Sequence, residues 1–333
     1  MLEHGGHLMA AAKKYNIAKE NWLDLSTGIN PIGWPVPAIP SECWQRLPET
    51  ADKLMVAAQQ YYQCLSILPI AGSQAAIQTL PLLREKSKVG VLSLAYAEHA
   101  YCWQKAGHEV IELSVDTIES QCAELDVLIL INPNNPTGHF FNKDQLLDWH
   151  QKLKQRKGWL IIDEAFIDTM PEHSLSQYPA TEGLIILRSL GKFFGLAGIR
   201  CGFVIATEQC LNDLNEKLGP WAISHPSRYI ATKALLDKAW QQKTQIELTK
   251  QSKQLAILLT EYNLKPDGQT DLFVWVRTEN AEALYKQFAQ AGILIRLFNH
   301  PSSLRFGLPK NETQWLKLKN MLQTLRDNYV QIS

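Results

Sequence analysis

No stretch of this sequence approaches the roughly 20 apolar residues that a membrane-spanning helix needs; Val127–Ile131 is a strand-sized run. Net charge is also missing. The 33 basic residues balance 33 acidic ones, and no basic tract stands out. Nucleic acid and anionic membrane surfaces are therefore not expected as partners. The N-terminal MLEHGGHLMAAAKKYN has no basic stretch followed by an apolar one, so no secretory signal is expected. None of the six cysteines forms C-x-x-C or pairs with histidines at zinc spacing. The expectation is no metal site, reduced and mostly buried thiols, and a cytoplasmic protein. Internal repeats and low-complexity segments are absent as well.

What is present is an ordinary globular composition, 46% hydrophobic and 20% charged, over 333 residues. That length exceeds one small core and predicts a large domain with a smaller one. Residues 1–40 read as an N-terminal arm, with a short helix over Met9–Tyr15. Between Ser26 and Pro40 lie two glycines and four prolines, which exclude a helix or a central strand. The segment Ser26–Pro31, STGINP, reads as a loop that could cup a small polar ligand.

From Asp52 onward the pattern alternates. Helices are predicted over Asp52–Gln63, Ala75–Leu83, Ala97–Ala106 and Lys143–Gln155. Strands are predicted over Ile67–Ile70, Val89–Leu94, Glu109–Leu113, Val127–Ile131, Leu160–Ile162, Leu184–Leu187 and Gly202–Ala206. Pro69 weakens the pairing of the first. Alternation of this kind means an α/β fold with a mostly parallel sheet and helices on both faces. Ligands of such sheets bind at the carboxyl ends of the strands. Tyr96, Asn135, Asp163 and the Ser189–Lys192 turn all follow strand ends, which points to one site. Pro226–Tyr262 reads as largely helical. Beyond it, strands over Asp271–Arg277, Gly292–Arg296 and Leu304–Gly307 and helices over Ala281–Ala291 and Asn311–Asn328 predict a small α+β domain. The predicted boundaries are 1–40, 41–235 and 236–333.

Four stretches carry chemistry. Ala71-Gly72-Ser73-Gln74 joins a strand to a helix, where free N–H groups and the helix dipole favour an anion; Ser73 fits an N-cap equally. Asn132–Gly138, NPNNPTG, and Asp163–Phe166, DEAF, each follow a strand. In Leu184–Phe203, LIILRSLGKFFGLAGIRCGF, Lys192 sits among Phe193, Phe194 and Leu196. Desolvation disfavours an ammonium, and a neutral lysine is a nucleophile toward carbonyls. Ser189-x-x-Lys192 also fits a serine–lysine hydrolase, but Ser-Asp-Asn and Lys-Thr-Gly are absent. A nucleotide-binding loop needs glycine at 186 and Ser or Thr at 193, where the chain has Ile186 and Phe193.

The ordered set NNPTG, DEAF, SLGK, Arg200 and a C-terminal arginine resembles the aminotransferase-like superfamily of pyridoxal-phosphate enzymes. The resemblance covers nearly the whole chain. It implies a three-layer α/β domain, a smaller C-terminal α+β domain, bound pyridoxal 5'-phosphate and a homodimer. Position by position, it implies that Lys192 joins the cofactor aldehyde and that Asp163 pairs with the pyridine nitrogen. Asn135 would bond the phenolic oxygen, Tyr96 would stack on the ring, and His99 would support Asp163. Ser73, Gln74, Ser189 and Arg200 would hold the cofactor phosphate, and Arg305 the substrate carboxylate. Phe166 stands where many relatives have tyrosine, so one hydrogen bond to the phenolic oxygen is missing. Leu47-Pro48-Glu49 stands where relatives often supply a tyrosine from the neighbouring subunit.

A narrower resemblance rests on HGGH (4–7), LDLSTGINPIGWP (23–35), AGSQAAIQ (71–78), YAEH (96–99), DEAFID (163–168) and LRSLGKFFGLAGIRCGF (187–203). These segments are similar to the threonine-phosphate decarboxylases of cobalamin synthesis. The implied reaction takes L-threonine O-3-phosphate to (R)-1-amino-2-propanol O-2-phosphate, with the substrate held by His4, Gly5, Gly28, Asn30, Asn135 and Arg305. The alternative is an aminotransferase of a phosphorylated amino compound such as histidinol phosphate, whose family shares the core set but usually not HGG.

Overall fold

The alternation between residues 67 and 206 is realised as one seven-stranded sheet. In spatial order its strands are Ile67–Ile70, Gly202–Ile205, Leu184–Ser189, Trp159–Asp163, Val127–Ile131, Lys88–Leu92 and Glu109–Leu113. Only Gly202–Ile205 runs against its neighbours. Pro69 is accommodated because Ile67–Ile70 is the edge strand, where a missing N–H leaves no partner unpaired. The computed structural model describes residues 5–49 and 52–330. It divides the chain into two units: Gly33–Asn135 with His139–Lys243, and Met1–Ile32 with Pro136–Gly138 and Thr244–Ser333.

In the sheet unit, Val127–Ile131 is buried along its whole length, as expected of a strand covered on both faces. Ile129, Ile161, Ile185, Leu187 and Val204 pack with Ala76, Ile77, Leu80 and Trp103 in one core. Each such large side chain contributes about 1.5–3 kcal/mol on burial. Two of the helices start at side-chain caps. Asp52 accepts from Leu54 N–H at 3.0 Å, and Asn142 forms a capping box with Gln145. Helix Glu208–Leu218 was not expected, because its polar sequence buries only Leu211 and Leu214. The long helical stretch is two helices, His225–Leu236 and Lys238–Glu261. They part at Asp237, whose carboxylate takes the Trp240 N–H and the Trp34 indole N–H.

The reversed strand has a consequence for the site. Its amino end lies at the same sheet edge as the carboxyl ends of the others. The register aligns Ile70, Gly202 and Ser189 side by side, and likewise Ile131, Asp163 and Leu187. Residues 71–73, 132–135, 163–166, 189–192 and 200 therefore share one edge.

The other unit carries a four-stranded antiparallel sheet in the order Arg296–Asn299, Ser302–Gly307, Phe273–Arg277, Gly268–Thr270, with helices Ala281–Gln290 and Glu312–Val330. The single strand expected over Gly292–Arg296 is two. Ile293–Leu294 pairs in parallel with Leu23–Asp24, while Arg296–Asn299 forms a hairpin with Ser302–Gly307. Part of the expected arm thus becomes a strand, and its helix, Leu8–Tyr15, packs Ala11 with Trp22, Ala289 and Leu294. Ser26–Pro40 contains neither helix nor strand, as its prolines require.

Candidate active site

Asp163 ends its strand as a buried carboxylate with both oxygens engaged. Oδ1 accepts the Ala165 N–H at 3.1 Å, and Oδ2 lies 3.1 Å from His99 Nε2. His99 is buried on helix Glu98–Lys105, one turn beyond Tyr96. Its ring meets Tyr96 edge-on, with centroids 6.3 Å apart. A carboxylate so placed, at the carboxyl end of a central strand, suits a cationic partner.

Tyr96 donates its hydroxyl to Gln74 Oε1 at 3.3 Å, and Gln74 Nε2 donates to Glu98 Oε2 at 2.9 Å. Burial, reinforced by the Glu98 and Asp163 charges, pushes the Tyr96 phenol up to about 12. It stays neutral at physiological pH, and its ring presents an uncharged face. The Gln74 side chain is thus tied to Tyr96 and Glu98, which leaves its backbone N–H as the group it offers an anion.

The Asn132–Gly138 loop is held by its own asparagines. Asn132 pairs with Phe141 through both its amide atoms, at 3.0 and 2.8 Å. Asn134 Nδ2 donates to Leu94 O at 2.8 Å, tying this loop to the one that carries Tyr96. Asn135 follows, half-buried.

The anion cradle forms where three aligned strand ends meet. Helix Ser73–Thr79 is capped by Gly72 at φ 75°, not by Ser73, which is its first helical residue. A side chain at Gly72 would lie 2.7 Å from an Arg200 guanidinium nitrogen, so glycine there is what lets the arginine close over the helix start. Arg200 is exposed, and its Nη1 donates to Ala197 O at 3.0 Å. Ser189 Oγ accepts the Gly191 N–H at 3.1 Å and keeps its own O–H to donate. Gly202 is equally constrained, since a Cβ there would sit 2.7 Å from Arg188 O and 2.8 Å from Ser73 N. Gly202→Ala is expected to destabilise the protein by about 1–3 kcal/mol, the usual range for overpacking. A urea-unfolding midpoint equal to that of the wild type would contradict it.

Lys192 is half-buried, with Nζ 5.3 Å from the Phe166 ring centroid. Phe193 and Phe194 beside it are buried. The phenylalanine that replaces the expected tyrosine thus supplies a cation–π face beneath the lysine.

In the other unit, Arg305 is buried on the strand Ser302–Gly307. Its Nη2 donates to Ser26 O at 2.8 Å, and its guanidinium lies over the Phe273 ring at 5.1 Å. Ser26 Oγ accepts the Gly6 N–H at 2.8 Å and donates to Asp24. A Cβ on Gly5 would lie 2.4 Å from Ser26 O, so glycine is needed where the chain crosses this loop. Gly28 and Asn30 are buried nearby in sequence, and Asn30 Oδ1 accepts the Ile32 N–H at 2.9 Å. His4 lies outside the described residues.

Arg296, which drew no attention in the sequence, stands directly opposite Arg305 in the hairpin register. The signal was the His300-Pro301 turn midway between them. Burial, and then the Arg296 charge, lower the Arg305 pKa to about 9. Two neighbouring guanidiniums, one of them desolvated, form a site that an anion relieves. Arg296 also lines a cavity of about 950 Å³ with Gly5, Gly6, His7, Lys14 and Ser26.

The sheet unit thus offers an amine, a buried carboxylate, a neutral aromatic ring and an anion cradle on one sheet edge. These match the aldehyde, pyridinium, ring face and phosphate of pyridoxal 5'-phosphate. The family model for aminotransferase class I and II matches residues 48–318, and the chain belongs to that family. It is 48% identical to the threonine-phosphate decarboxylase of Pseudomonas aeruginosa over 96% of both chains. It is 39% identical to that of a Sinorhizobium species over 92% of both. Among solved structures, the histidinol-phosphate aminotransferase of Clostridium acetobutylicum superposes with a TM-score of 0.81 at 26% identity, over 92% of this chain and 99% of that one.

Proposed function

We propose that this chain decarboxylates L-threonine O-3-phosphate to (R)-1-amino-2-propanol O-2-phosphate, using pyridoxal 5'-phosphate, in cobalamin biosynthesis. The observation that carries this reading is the near-complete 48% match to a threonine-phosphate decarboxylase. The donor set on the sheet edge is consistent with it.

Bound pyridoxal phosphate supplies an electron sink for the carbanion left at the substrate's α-carbon. Lys192 would hold the cofactor through Nζ, and the same nitrogen would return a proton to the substrate's Cα in place of the departing carbon dioxide. Asp163, oriented by Ala165 N–H and His99, would keep the ring nitrogen protonated. Tyr96 would stack on the ring, and Asn135 would bond its phenolic oxygen. Arg200, the Ser189 hydroxyl and the Ser73 and Gln74 backbone would hold the cofactor phosphate. Arg305 takes the substrate carboxylate, the task of a planar fork of donors. Arg296 is assigned to the substrate phosphate, with Gly5, Gly28, Asn30 and His4 as further contacts.

The protein acts as a cytoplasmic homodimer. Every described cysteine is free, and no helix among the described residues is long and apolar enough to cross a membrane. Trp44 and Leu47, 66% and 64% exposed on one short segment, fit a subunit interface. Light scattering that gives a monomer mass would refute the dimer.

The first experiment is an absorbance spectrum with added pyridoxal phosphate. A visible band that disappears on borohydride treatment supports the reading, and a protein that takes up no cofactor refutes it. Arg305→Ala is expected to weaken substrate binding by about 2–5 kcal/mol, at least about thirtyfold, as truncation of a buried ionic partner does. The cofactor band should be unchanged. Loss of that band with Arg305→Ala would show the arginine to be misassigned.

A further inference from the structure

Behind the sheet-edge site lies a buried ionic cluster that none of the proposed binding contacts uses. Arg188 is 2% exposed, Glu164 0%, Asp168 1% and Ser174 2%. The Arg188 guanidinium donates through Nη1 to Glu164 Oε2 at 2.7 Å and to Ser174 Oγ at 3.1 Å. Through Nη2 it donates to Asp168 Oδ1 at 2.6 Å. Tyr61 donates its hydroxyl to the same Asp168 oxygen at 3.0 Å, and the guanidinium lies over the Tyr62 ring at 4.7 Å. Glu164 Oε1 accepts the Leu175 N–H at 2.9 Å. Burial works against the arginine's charge, but Asp168 and Glu164 outweigh it and raise its pKa.

A buried ion cluster is a poor way to gain stability, because desolvation consumes most of the attraction. Its place in the chain suggests another use. Arg188 immediately precedes Ser189, and Glu164 immediately follows Asp163. Glu164 N–H donates to Leu187 O at 2.9 Å, so the clamp bridges two adjacent strands at the point where they deliver their site residues. Its two carboxylates also bracket the turn 164–168. Within that turn, Ala165 N–H orients Asp163, and the Phe166 ring lies beneath Lys192 Nζ.

We propose that Arg188 is a positioning residue: by gripping Glu164 and Asp168 it fixes the turn that aims Asp163 and supports Lys192. This rests on the pyridoxal-phosphate reading above. A purely structural arginine would alter stability alone. A positioning arginine must also alter how the site holds its cofactor.

The test compares Arg188→Lys, which keeps the charge but loses the two-pronged geometry, with Tyr61→Phe, which removes only the hydroxyl on Asp168. The readouts are pyridoxal-phosphate affinity by fluorescence titration, the pH midpoint of the visible cofactor band, and unfolding in urea. Arg188→Lys is expected to weaken cofactor affinity by about 10- to 100-fold, the scale on which groups behind direct ligands act in metal sites. The band midpoint should shift in the same variant. Tyr61→Phe should move both readouts in the same direction by less, and it keeps the test decisive if Arg188→Lys does not fold. Unchanged affinity and midpoint overturn the proposal, even if unfolding occurs at lower urea. A wild-type protein that shows no cofactor band overturns the functional reading together with it, whereas a normal wild-type band with unmoved variants overturns the positioning role alone.

Discussion

Lys192→Ala is expected to lower kcat by at least about three orders of magnitude and to abolish the borohydride-sensitive band. In the proposed mechanism two roles fall on this one nitrogen, attachment of the cofactor and return of a proton to Cα. Positioned proton transfer by itself is worth about 10²–10⁴-fold. The neighbours Phe193 and Phe194 and the underlying Phe166 have no titratable group that could take its place. Cofactor binding should weaken but persist, because the cradle of Arg200, Ser189 and the Ser73 helix start is untouched. Full activity in this variant, measured as product formed per active site, would remove the lysine from the mechanism.

Asp163→Asn is the second large effect, an expected loss of about 10²–10³-fold in kcat, the range for removing one preorganised electrostatic group. The amide is nearly isosteric and can still accept the Ala165 N–H, so the fold and the cofactor should remain. What disappears is the negative charge proposed to keep the ring nitrogen protonated. Substrate KM should change little, because the substrate contacts are assigned to other residues. A kcat within a few-fold of wild type would mean that the ring nitrogen does not need this carboxylate.

The strands of the sheet were legible because each is a short apolar run closed by turn residues, and because burial on both faces leaves little room for polar exceptions. Val127–Ile131 is the clearest case. Helix Glu208–Leu218 was not legible, since two buried leucines three apart give almost no periodicity. Asp163, Lys192 and Asn135 could be picked out because they follow strand ends. Arg200 could be picked out only through its spacing from Lys192; the physical reason emerged with the reversal of Gly202–Ile205, which brings the start of that strand to the site edge. Arg296 and the Arg188 clamp stayed hidden for a different reason. Their meaning depends on pairings across a hairpin and between turns, and neighbouring residues in the chain do not report those.

Decarboxylation is tested by incubating the purified protein with L-threonine O-3-phosphate and pyridoxal 5'-phosphate in the absence of any keto acid. Carbon dioxide release is expected in step with formation of 1-amino-2-propanol O-2-phosphate, with many turnovers per active site. No carbon dioxide, together with amino transfer from histidinol phosphate once 2-oxoglutarate is added, would contradict it.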